Sequence, residues 1–340
     1  MAKHSTLQKR KLQRRIGFNI FTLIIFLISF FNKNSFAQQQ AQYSQYMFNG
    51  LVLNPAYTGN KEVLNLNAIY RKQWVGITGS PETQTISIDG LTNGKKMGLG
   101  GYILNDKLGA QGSLSAFASY SYRLKVNDES QLAFGLAAGV TQYSLDGNKI
   151  TTEQSEQGLA VTGYRSVITP DVNTGAYLSS DKYYVGFSVS SLVASQRKFS
   201  SEDEMLMPNQ NMHYYLTAGK IFDLSNMIKF YPSFLLNEDF KKFTNIDVST
   251  FFLYDKKIWF GGTYRTAIPI FNTDKTNKAN YGNAVVFITQ YYVNPKIRIG
   301  YAFDYSITEL NKYNNGTHEF SLGYYLFPKK NYKALSPRYF

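Results

Sequence analysis

The sequence predicts an all-β fold, a transmembrane antiparallel β-barrel of about 14 strands preceded by an N-terminal segment that is luminal or periplasmic. After residue 37, no apolar run approaches the roughly 20 residues that a transmembrane helix needs. The chain is nevertheless rich in aromatic residues, with 27 Tyr and 25 Phe. Segments of about ten residues alternate apolar with small or polar side chains, which is the length and period of a tilted membrane strand. The periodicity therefore favours a membrane barrel over a soluble β domain.

Residues 1–37 have the order of a secretory signal peptide. Six Lys or Arg residues precede the apolar stretch 16–31, and cleavage is expected after Ala37, two positions beyond the small residue Ser35. A retained anchor helix is the alternative. The signal holds seven basic residues and no acid, so the net charge of +13 falls to +6 in the mature chain. That charge is modest and scattered, and we expect no nucleic-acid partner.

Residues 38–62 precede the first strand and do not alternate. Their apolar residues suggest one or two amphipathic helical turns, ending at Asn54 because Pro55 disfavours helix at the preceding position. This segment could fill the barrel lumen as a plug or lie across its periplasmic mouth. The apolar residues in question are Tyr43, Tyr46, Met47, Phe48 and Leu51.

Residues 63–326 are predicted to form the barrel itself. In residues 112–124, Leu, Ala and Tyr side chains alternate with Ser, Phe and Arg, which gives one apolar face and one small, polar face. An even number of strands returns both ends of the chain to one side of the membrane. Strands are expected near 64–74, 83–89, 97–105, 112–124, 131–145, 171–179, 183–192, 212–222, 227–236, 243–254, 258–266, 283–292, 296–305 and 317–326.

The connections between these strands are alternately long and short. Outer-membrane barrels have short periplasmic turns and longer external loops, so the pattern predicts localisation in the cell outer membrane with both termini periplasmic. The longest external loops would be 146–170, 193–211 and 267–282. The tail 327–340 would face periplasmic partners or serve as an end piece that helps the barrel to be assembled.

Charged residues of both signs lie at inward positions of the predicted strands. A Lys or Arg facing lipid at mid-depth would cost roughly 2–4 kcal/mol, so these side chains must point into the lumen. Barrel closure brings the last strands beside the first, which predicts a luminal charge cluster of Arg71, Arg298, Asp304 and Glu319. The cluster is read as a structural lining, with an ion-selective path as the alternative. The other inward charges are Arg123, Lys229 and Asp247.

No residue pattern indicates catalysis or a cofactor. The chain has no Cys and three His, and neither His213 nor His318 belongs to a metal-ligand spacing. His318 and Glu319 are neighbours in a strand and point to opposite faces, so they cannot form a catalytic dyad. We therefore expect no catalytic residue, no metal and no cofactor.

Several motifs resemble the PorP/SprF family, outer-membrane proteins of the type IX secretion system of Bacteroidota. They are the stretch 42–49 (QYSQYMFN), the stretch 54–59 (NPAYTG), the stretch 70–76 (YRKQWVG), the stretch 79–85 (GSPETQT) and the C-terminal SPRYF. The motif residues singled out from them are Asn54, Pro55, Ala56, Tyr57, Arg71, Gln73, Trp74, Gly79, Pro81, Thr83, Pro337, Arg338, Tyr339 and Phe340.

The resemblance implies a role in protein export across the outer membrane. The expected partners are a secreted adhesin or its C-terminal domain at the cell surface, periplasmic ring and lipoprotein components of the system, and outer-membrane lipid. Arg71 and Gln73 are expected to point inward and hold the Asn54–Tyr57 segment, and Trp74 to anchor at the outer interface. A small-molecule transporter or porin is the alternative function. A continuous apolar lumen would favour the transporter, and a segment 38–62 outside the lumen would favour the porin.

Overall fold

The computed structural model describes residues 42–149, 163–196, 210–241, 243–271 and 283–326. The predicted signal peptide, the predicted tail and the motif residues Pro337, Arg338, Tyr339 and Phe340 lie outside these ranges. The strands are β1 (Leu64–Lys72), β2 (Glu82–Leu91), β3 (Met97–Leu108), β4 (Gln111–Lys125), β5 (Ser130–Asp146), β6 (Tyr164–Ser180), β7 (Tyr183–Ser190), β8 (His213–Lys220), β9 (Phe222–Asp223), β10 (Ile228–Glu238), β11 (Thr244–Tyr254), β12 (Ile258–Ile268), β13 (Ala284–Asn294), β14 (Ile297–Ser306) and β15 (Thr317–Leu326).

These strands form one closed antiparallel barrel. Each strand pairs with its neighbours along the chain, and β1 closes the sheet by pairing with β15, with Arg71 opposite Glu319. The two-residue strand β9 continues the line of β8 after a break at Ile221, and both pair with β10. The barrel therefore has 14 strand positions, and the predicted fold class is confirmed.

The strand ends depart from the sequence expectation at two places. Strand β6 begins at Tyr164 rather than near residue 171, and it accommodates Pro170 where it pairs only with β5, because β7 joins it from Thr174 onward. A proline is tolerated on such an edge. Strands β3 and β4 meet in a two-residue turn at Gly109, whose φ of +59° suits glycine, where a longer loop was expected.

The barrel has two ends that differ in their connections. We call the end with the turns 92–96, 126–129, 181–182, 224–227, 255–257 and 295–296 the turn end. The other, with the connections 73–81, 109–110, 147–163, 191–212, 239–243, 269–283 and 307–316, is the loop end.

The burial of side chains alternates along each strand. In β4, Ser119 and Ser121 point inward and are buried, whereas Leu114 and Tyr120 on the other face are more than two-fifths exposed. The outward face is apolar and the inward face is mostly small or polar, as in a barrel that contacts lipid outside. Among the described residues, no helix is both long and apolar enough to cross a membrane.

Residues 42–62, here called the luminal segment, lie inside the barrel. They form three short helical turns, at Tyr46–Phe48, Gly50–Leu53 and Pro55–Tyr57. No residue of the segment is exposed, and its hydrogen bonds reach strands on opposite sides of the barrel. The Tyr46 hydroxyl, for example, lies 2.9 Å from Ser233 Oγ on β10, and Ser179 on β6 donates to Asn60 over 2.9 Å.

Inward glycines make room for this segment. A Cβ atom at Gly135 would overlap the backbone of Pro55 and Ala56, and one at Gly98 would overlap the carbonyl group of Thr58. The small inward side chains of these strands therefore leave the space that the backbone of the luminal segment fills.

We predict that Gly135→Ala destabilises the barrel by about 1–3 kcal/mol, because the added methyl group overlaps backbone and overpacks the lumen. Gly94→Ala is the matched control. Its added Cβ meets nothing within 4 Å, and we expect a change within about 0.5 kcal/mol. The measurement is the free energy of unfolding in urea and lipid vesicles, followed by fluorescence of the chain's 2 Trp residues. Equal values for the two variants would show that the segment does not pack against Gly135.

Candidate functional site

Five charged side chains form a buried cluster near the loop end of the lumen, here called the anchor cluster. Arg71 lies 2.7 Å from Asp304 and 3.0 Å from Glu319. Arg265 lies 2.8 Å from Asp247 and 3.2 Å from the same Asp304 oxygen that Arg71 contacts. All five are at most 5% exposed. Strands β1, β11, β12, β14 and β15 each contribute one member.

The anchor cluster holds the start of the luminal segment. The backbone N–H groups of Ser44 and Gln45 donate to the two carboxylate oxygens of Glu319, each over 2.8 Å. Ser44 Oγ donates to Asp304 over 2.6 Å and accepts from Arg71 over 2.7 Å. Residues 44 and 45 are thus fixed by charged partners, whose hydrogen bonds are about twice as strong as neutral ones.

The charge count of the cluster explains this arrangement. Two guanidinium groups face three carboxylates, which leaves one negative charge without a cation in the cluster. Burying an uncompensated charge is costly unless hydrogen bonds satisfy it. The two N–H groups of the luminal segment supply that stabilisation at Glu319. The segment therefore completes the cluster electrostatically as well as sterically.

The Gln45 side chain extends the contact to a fourth strand, β13. Its side-chain amide nitrogen donates to the Glu319 carbonyl over 3.2 Å, and its oxygen accepts from Ser321 over 2.7 Å and from Gln290. The segment is therefore anchored across β13 and β15 beside the strand pair that closes the barrel.

Arg298 does not belong to the ion-pair cluster in which the sequence placed it. It donates over 2.7 Å to Asn67, and its guanidinium carbon lies 4.4 Å from the centre of the Phe48 ring. Arg298 and Asp304 are six residues apart on one strand, which separates them by roughly 20 Å at 3.3 Å per residue. Lys61 is also fully buried, with its amine 4.9 Å from the centre of the Tyr325 ring. Both cations hold the luminal segment at the turn end.

We expected Arg71 and Gln73 to hold the Asn54–Tyr57 motif. In the structure, β6 and β7 hold it instead. The Asn54 side chain accepts from the N–H of Ala56 over 2.9 Å and so caps the helical turn that Pro55 begins. Its amide nitrogen donates to carbonyl oxygens on both strands, over 3.0 and 3.2 Å. Tyr57 packs edge-on against Tyr177 at 5.4 Å between ring centres. This asparagine therefore joins the segment to the barrel wall.

The remaining motif residues stabilise the first loop-end connection. The N–H of Gln73 donates to the Pro81 carbonyl over 2.9 Å, and the N–H of Trp74 donates to Thr317 over 3.1 Å. Gly79 has a φ of +72° and its carbonyl accepts from Gly109. Thr83 is fully buried and donates to Asp106 over 2.5 Å. Trp74 is half-buried, and its N–H bond to Thr317 ties the start of this connection to β15.

Two further charged residues, Arg265 and Lys229, can be compared with the inward charges predicted from the sequence. Arg265 was not among the predicted inward charges, although it keeps the period of two with Trp259 and Thr263 on the same strand, and that spacing could have found it. Lys229 pairs with Asp223 near the turn end at 2.6 Å and is only partly buried.

Within the described ranges, no group of three or more His, Cys, Asp or Glu side chains could hold a metal ion. His213 is buried and stacks near Tyr215, and His318 Nδ1 lies 2.8 Å from the Tyr301 hydroxyl. His318 is on the face opposite to Glu319, as the strand period requires.

We predict that Arg71→Met lowers the free energy of unfolding by about 3–5 kcal/mol, because Glu319 loses its guanidinium partner while it stays buried. The neighbouring Lys72→Met is the matched control, because its pair with Glu82 is about one-third exposed and contributes less than about 1 kcal/mol. Adding Glu319→Gln to Arg71→Met should restore part of the loss. Urea unfolding in lipid vesicles measures all three, and equal losses for the two Met variants would contradict the role given to Arg71.

Comparison with solved structures finds other membrane barrels at low identity. The CymD monoaromatic hydrocarbon channel matches with a TM-score of 0.46 and 13% identity, covering 83% of this chain and 93% of that one. The Ralstonia pickettii toluene transporter TbuX matches with a TM-score of 0.45 and 10% identity, covering 83% and 93%. The Acinetobacter baumannii outer membrane protein Omp33 matches with a TM-score of 0.43 and 10% identity, covering 78% and 98%. The substrates in those names belong to the neighbouring proteins, and the likeness concerns the fold alone.

A search of the curated proteins finds no match. The family described as type IX secretion system membrane protein PorP/SprF matches residues 35–324. This range holds the luminal segment and almost the entire barrel, including every member of the anchor cluster. The chain belongs to the PorP/SprF family of type IX secretion system membrane proteins.

Proposed function

We propose that this protein is an outer-membrane component of the type IX secretion system that takes part in the export or surface anchoring of secreted adhesins, as part of the gliding motility machinery. It acts through protein contacts, with the loop end outside the cell, the turn end in the periplasm and both chain termini on the periplasmic side. The observation that carries the proposal is family membership combined with a lumen occupied by the protein's own chain. A barrel filled in this way is suited to binding rather than to conducting.

The filled lumen weighs against the porin alternative. That alternative needs residues 38–62 outside the lumen, whereas residues 42–62 pack inside it, from the anchor cluster at the loop end to Lys61 near the turn end. Hydrogen bonds from Ser121 to the Thr58 carbonyl and from Ser188 to the Leu53 carbonyl, at 2.7 and 2.6 Å, fix the middle of the segment.

The chemistry of the lumen weighs against the transporter alternative. A route for hydrophobic compounds needs a continuous apolar surface. The groups that line the lumen here include the five charges of the anchor cluster and many buried Ser, Thr and Asn side chains. The aromatic rings that run from Tyr177 through Tyr184 and Tyr231 to Trp259 pack against one another and, at Trp259, against Phe48 of the luminal segment, so this apolar surface is covered rather than open.

The two ends suit different partners. The connections at the loop end are long enough to meet a secreted domain at the cell surface. The short turns at the other end would meet periplasmic ring and lipoprotein components, and the apolar outer face meets outer-membrane lipid. The tail 327–340 is proposed to face the same periplasmic partners.

We predict that deletion of the gene abolishes surface display of one or more large adhesins, or secretion of many cargoes, without changing uptake of small solutes. The physical reason is that a filled barrel contributes partner contacts and no open pore. Surface proteomics and immunofluorescence of intact cells measure display, and growth on limiting solutes measures uptake. Normal secretion and gliding together with a specific uptake defect would favour the transporter.

We also predict that the purified mature protein gives no stable conductance steps in planar lipid bilayers, because the luminal segment blocks the lumen. A variant that lacks residues 38–62 should conduct ions, provided that its heat-dependent gel mobility shows a folded barrel. Steady conductance by the intact protein, equal to that of the deletion variant, would support the porin alternative.

A further inference from the structure

The two ends of the barrel differ in charge. By sequence, the connections at the loop end hold eight basic and eight acidic residues. The C-terminal residues 327–340 follow a strand that finishes at the turn end, and by sequence they add four basic residues and no acidic one. The turns and the strand ends beside them hold nine Lys and five acidic residues, which lie in 92–96, 125–129, 181–182, 220–229, 255–257 and 295–296. Excess positive charge is therefore concentrated at the turn end.

Six of these nine lysines continue the inward face of the strands. In four turns, the strand pairing extends by one more hydrogen bond, in which the lysine carbonyl accepts from the N–H of a buried residue over 2.7–2.8 Å. Those four buried residues are Arg123, Ile221, Tyr292 and Tyr325. Opposite residues of antiparallel strands share a face, so these four lysines belong to the face that lines the lumen.

The two other turns place a lysine in the same way. Lys125 pairs with Gln131, whose side chain bonds to Glu62 of the luminal segment, and Lys229 pairs with the buried Leu253. Each turn therefore contributes one lysine to a ring around the turn-end mouth of the lumen, and all of them except Lys229 are exposed. This lysine ring consists of Lys96, Lys125, Lys182, Lys229, Lys257 and Lys296.

Half of the lysine ring has no acidic partner. Three members pair with aspartates close to them in the chain, at 2.6–3.5 Å. Within the described ranges, Lys96, Lys182 and Lys296 form no ion pair, and they lie in the β2–β3, β6–β7 and β13–β14 turns, on three sides of the mouth. Fourteen strands spaced by about 4.8 Å and tilted by about 40° make a mouth roughly 28 Å across. A partner that reaches all three lysines must therefore lie across the mouth.

Three further lysines of the turn end, Lys95, Lys220 and Lys256, lie outside the ring. They are exposed and, in the part of the chain that the structure describes, they also form no ion pair. The amine of Lys220 lies 4.9 Å from the centre of the Phe222 ring, on the outward face. Lipid headgroups surround the outer rim of a barrel, whereas the lysine ring surrounds the mouth, which faces water. The position of the ring therefore favours an acidic polypeptide over an anionic lipid.

We propose that the lysine ring binds an acidic segment of a periplasmic protein, which lies across the turn-end mouth and pairs its carboxylates with Lys96, Lys182 and Lys296. The inference rests on the proposed function, because it needs the turn end to face the periplasm, and it adds to that function the chemistry of the periplasmic contact. The luminal segment fills the lumen behind the ring, so the partner covers the mouth without entering it.

The test uses the full mature protein in phosphatidylcholine nanodiscs, which leave both ends of the barrel accessible. The probe is a fluorescent peptide of alternating Glu and Ser, about 12 residues long, which reaches about 40 Å when extended and so can cross the mouth. The same peptide with Gln in place of Glu is the ligand control. The ring variant combines Lys96→Gln, Lys182→Gln and Lys296→Gln. Its matched control combines Lys95→Gln, Lys220→Gln and Lys256→Gln, which removes the same charge from the same end.

We expect the Glu peptide to bind the wild-type protein saturably, with an affinity that falls as salt is added. The ring variant should bind it about tenfold more weakly, which is the combined effect of losing three exposed ion pairs. The matched control should weaken binding by less than about threefold, because its lysines act only at a distance through salt. Heat-dependent gel mobility shows that all three barrels are folded.

Absence of binding to the wild-type protein, equal binding of the Glu and Gln peptides, or equal weakening by the two triple variants would overturn the proposal. Phosphatidylglycerol that is retained by the wild-type protein and lost from the ring variant, without binding of the Glu peptide, would overturn it in favour of lipid headgroups.

A cellular arm separates this inference from the proposed function. If the deletion strain loses adhesin display and a strain with the ring variant keeps normal display, the lysine-ring contact is wrong and the proposed function stands. If the deletion strain keeps normal display and secretion, the proposed function itself is wrong. Loss of display in the deletion and ring-variant strains but not in the matched-control strain, with normal amounts of folded barrel in the membrane, supports both.

Discussion

The fold depends on keeping charged side chains away from lipid while giving the buried ones partners inside the lumen. A closed barrel satisfies its own backbone, because each strand bonds to two neighbours and no edge remains. It does not by itself satisfy a lumen that carries Arg71, Arg265, Asp304 and Glu319. Direct ion pairs solve most of that problem, and the N–H groups of residues 44 and 45 solve the remainder at Glu319. The wall and the luminal segment are therefore stabilised by the same interaction.

Much of this architecture follows from the period of two. Alternation along residues 112–124 gives the inward and outward faces correctly, and the even number of strands gives the closure of the barrel. The pairing of Arg71 with Glu319 follows from the neighbouring first and last strands. Such patterns fix the face of a side chain because strand geometry leaves only two choices.

The height of a side chain along the barrel is harder to predict, and it accounts for the errors. Arg298 and Asp304 share a face but lie about 20 Å apart along β14, so they serve different ends of the segment. The contacts of Asn54 with β6 and β7 depend on the path of the segment across the lumen, for which the sequence has no periodic signal. The early start of β6 was missed because Pro170 argues against a strand unless an edge is available.

The route of the luminal segment has a consequence for how the barrel folds. Residues 44 and 45 precede the first strand, yet their partners Gln290, Asp304 and Glu319 lie in the last three strands, which are made between 245 and 274 positions later. Contacts of such sequence separation form slowly, because closing a long loop costs entropy before the contact repays it. The segment therefore cannot reach its final place until the C-terminal strands exist. Sealing of the wall and docking of the segment become one late, cooperative event, and an incomplete barrel would leave both unfinished.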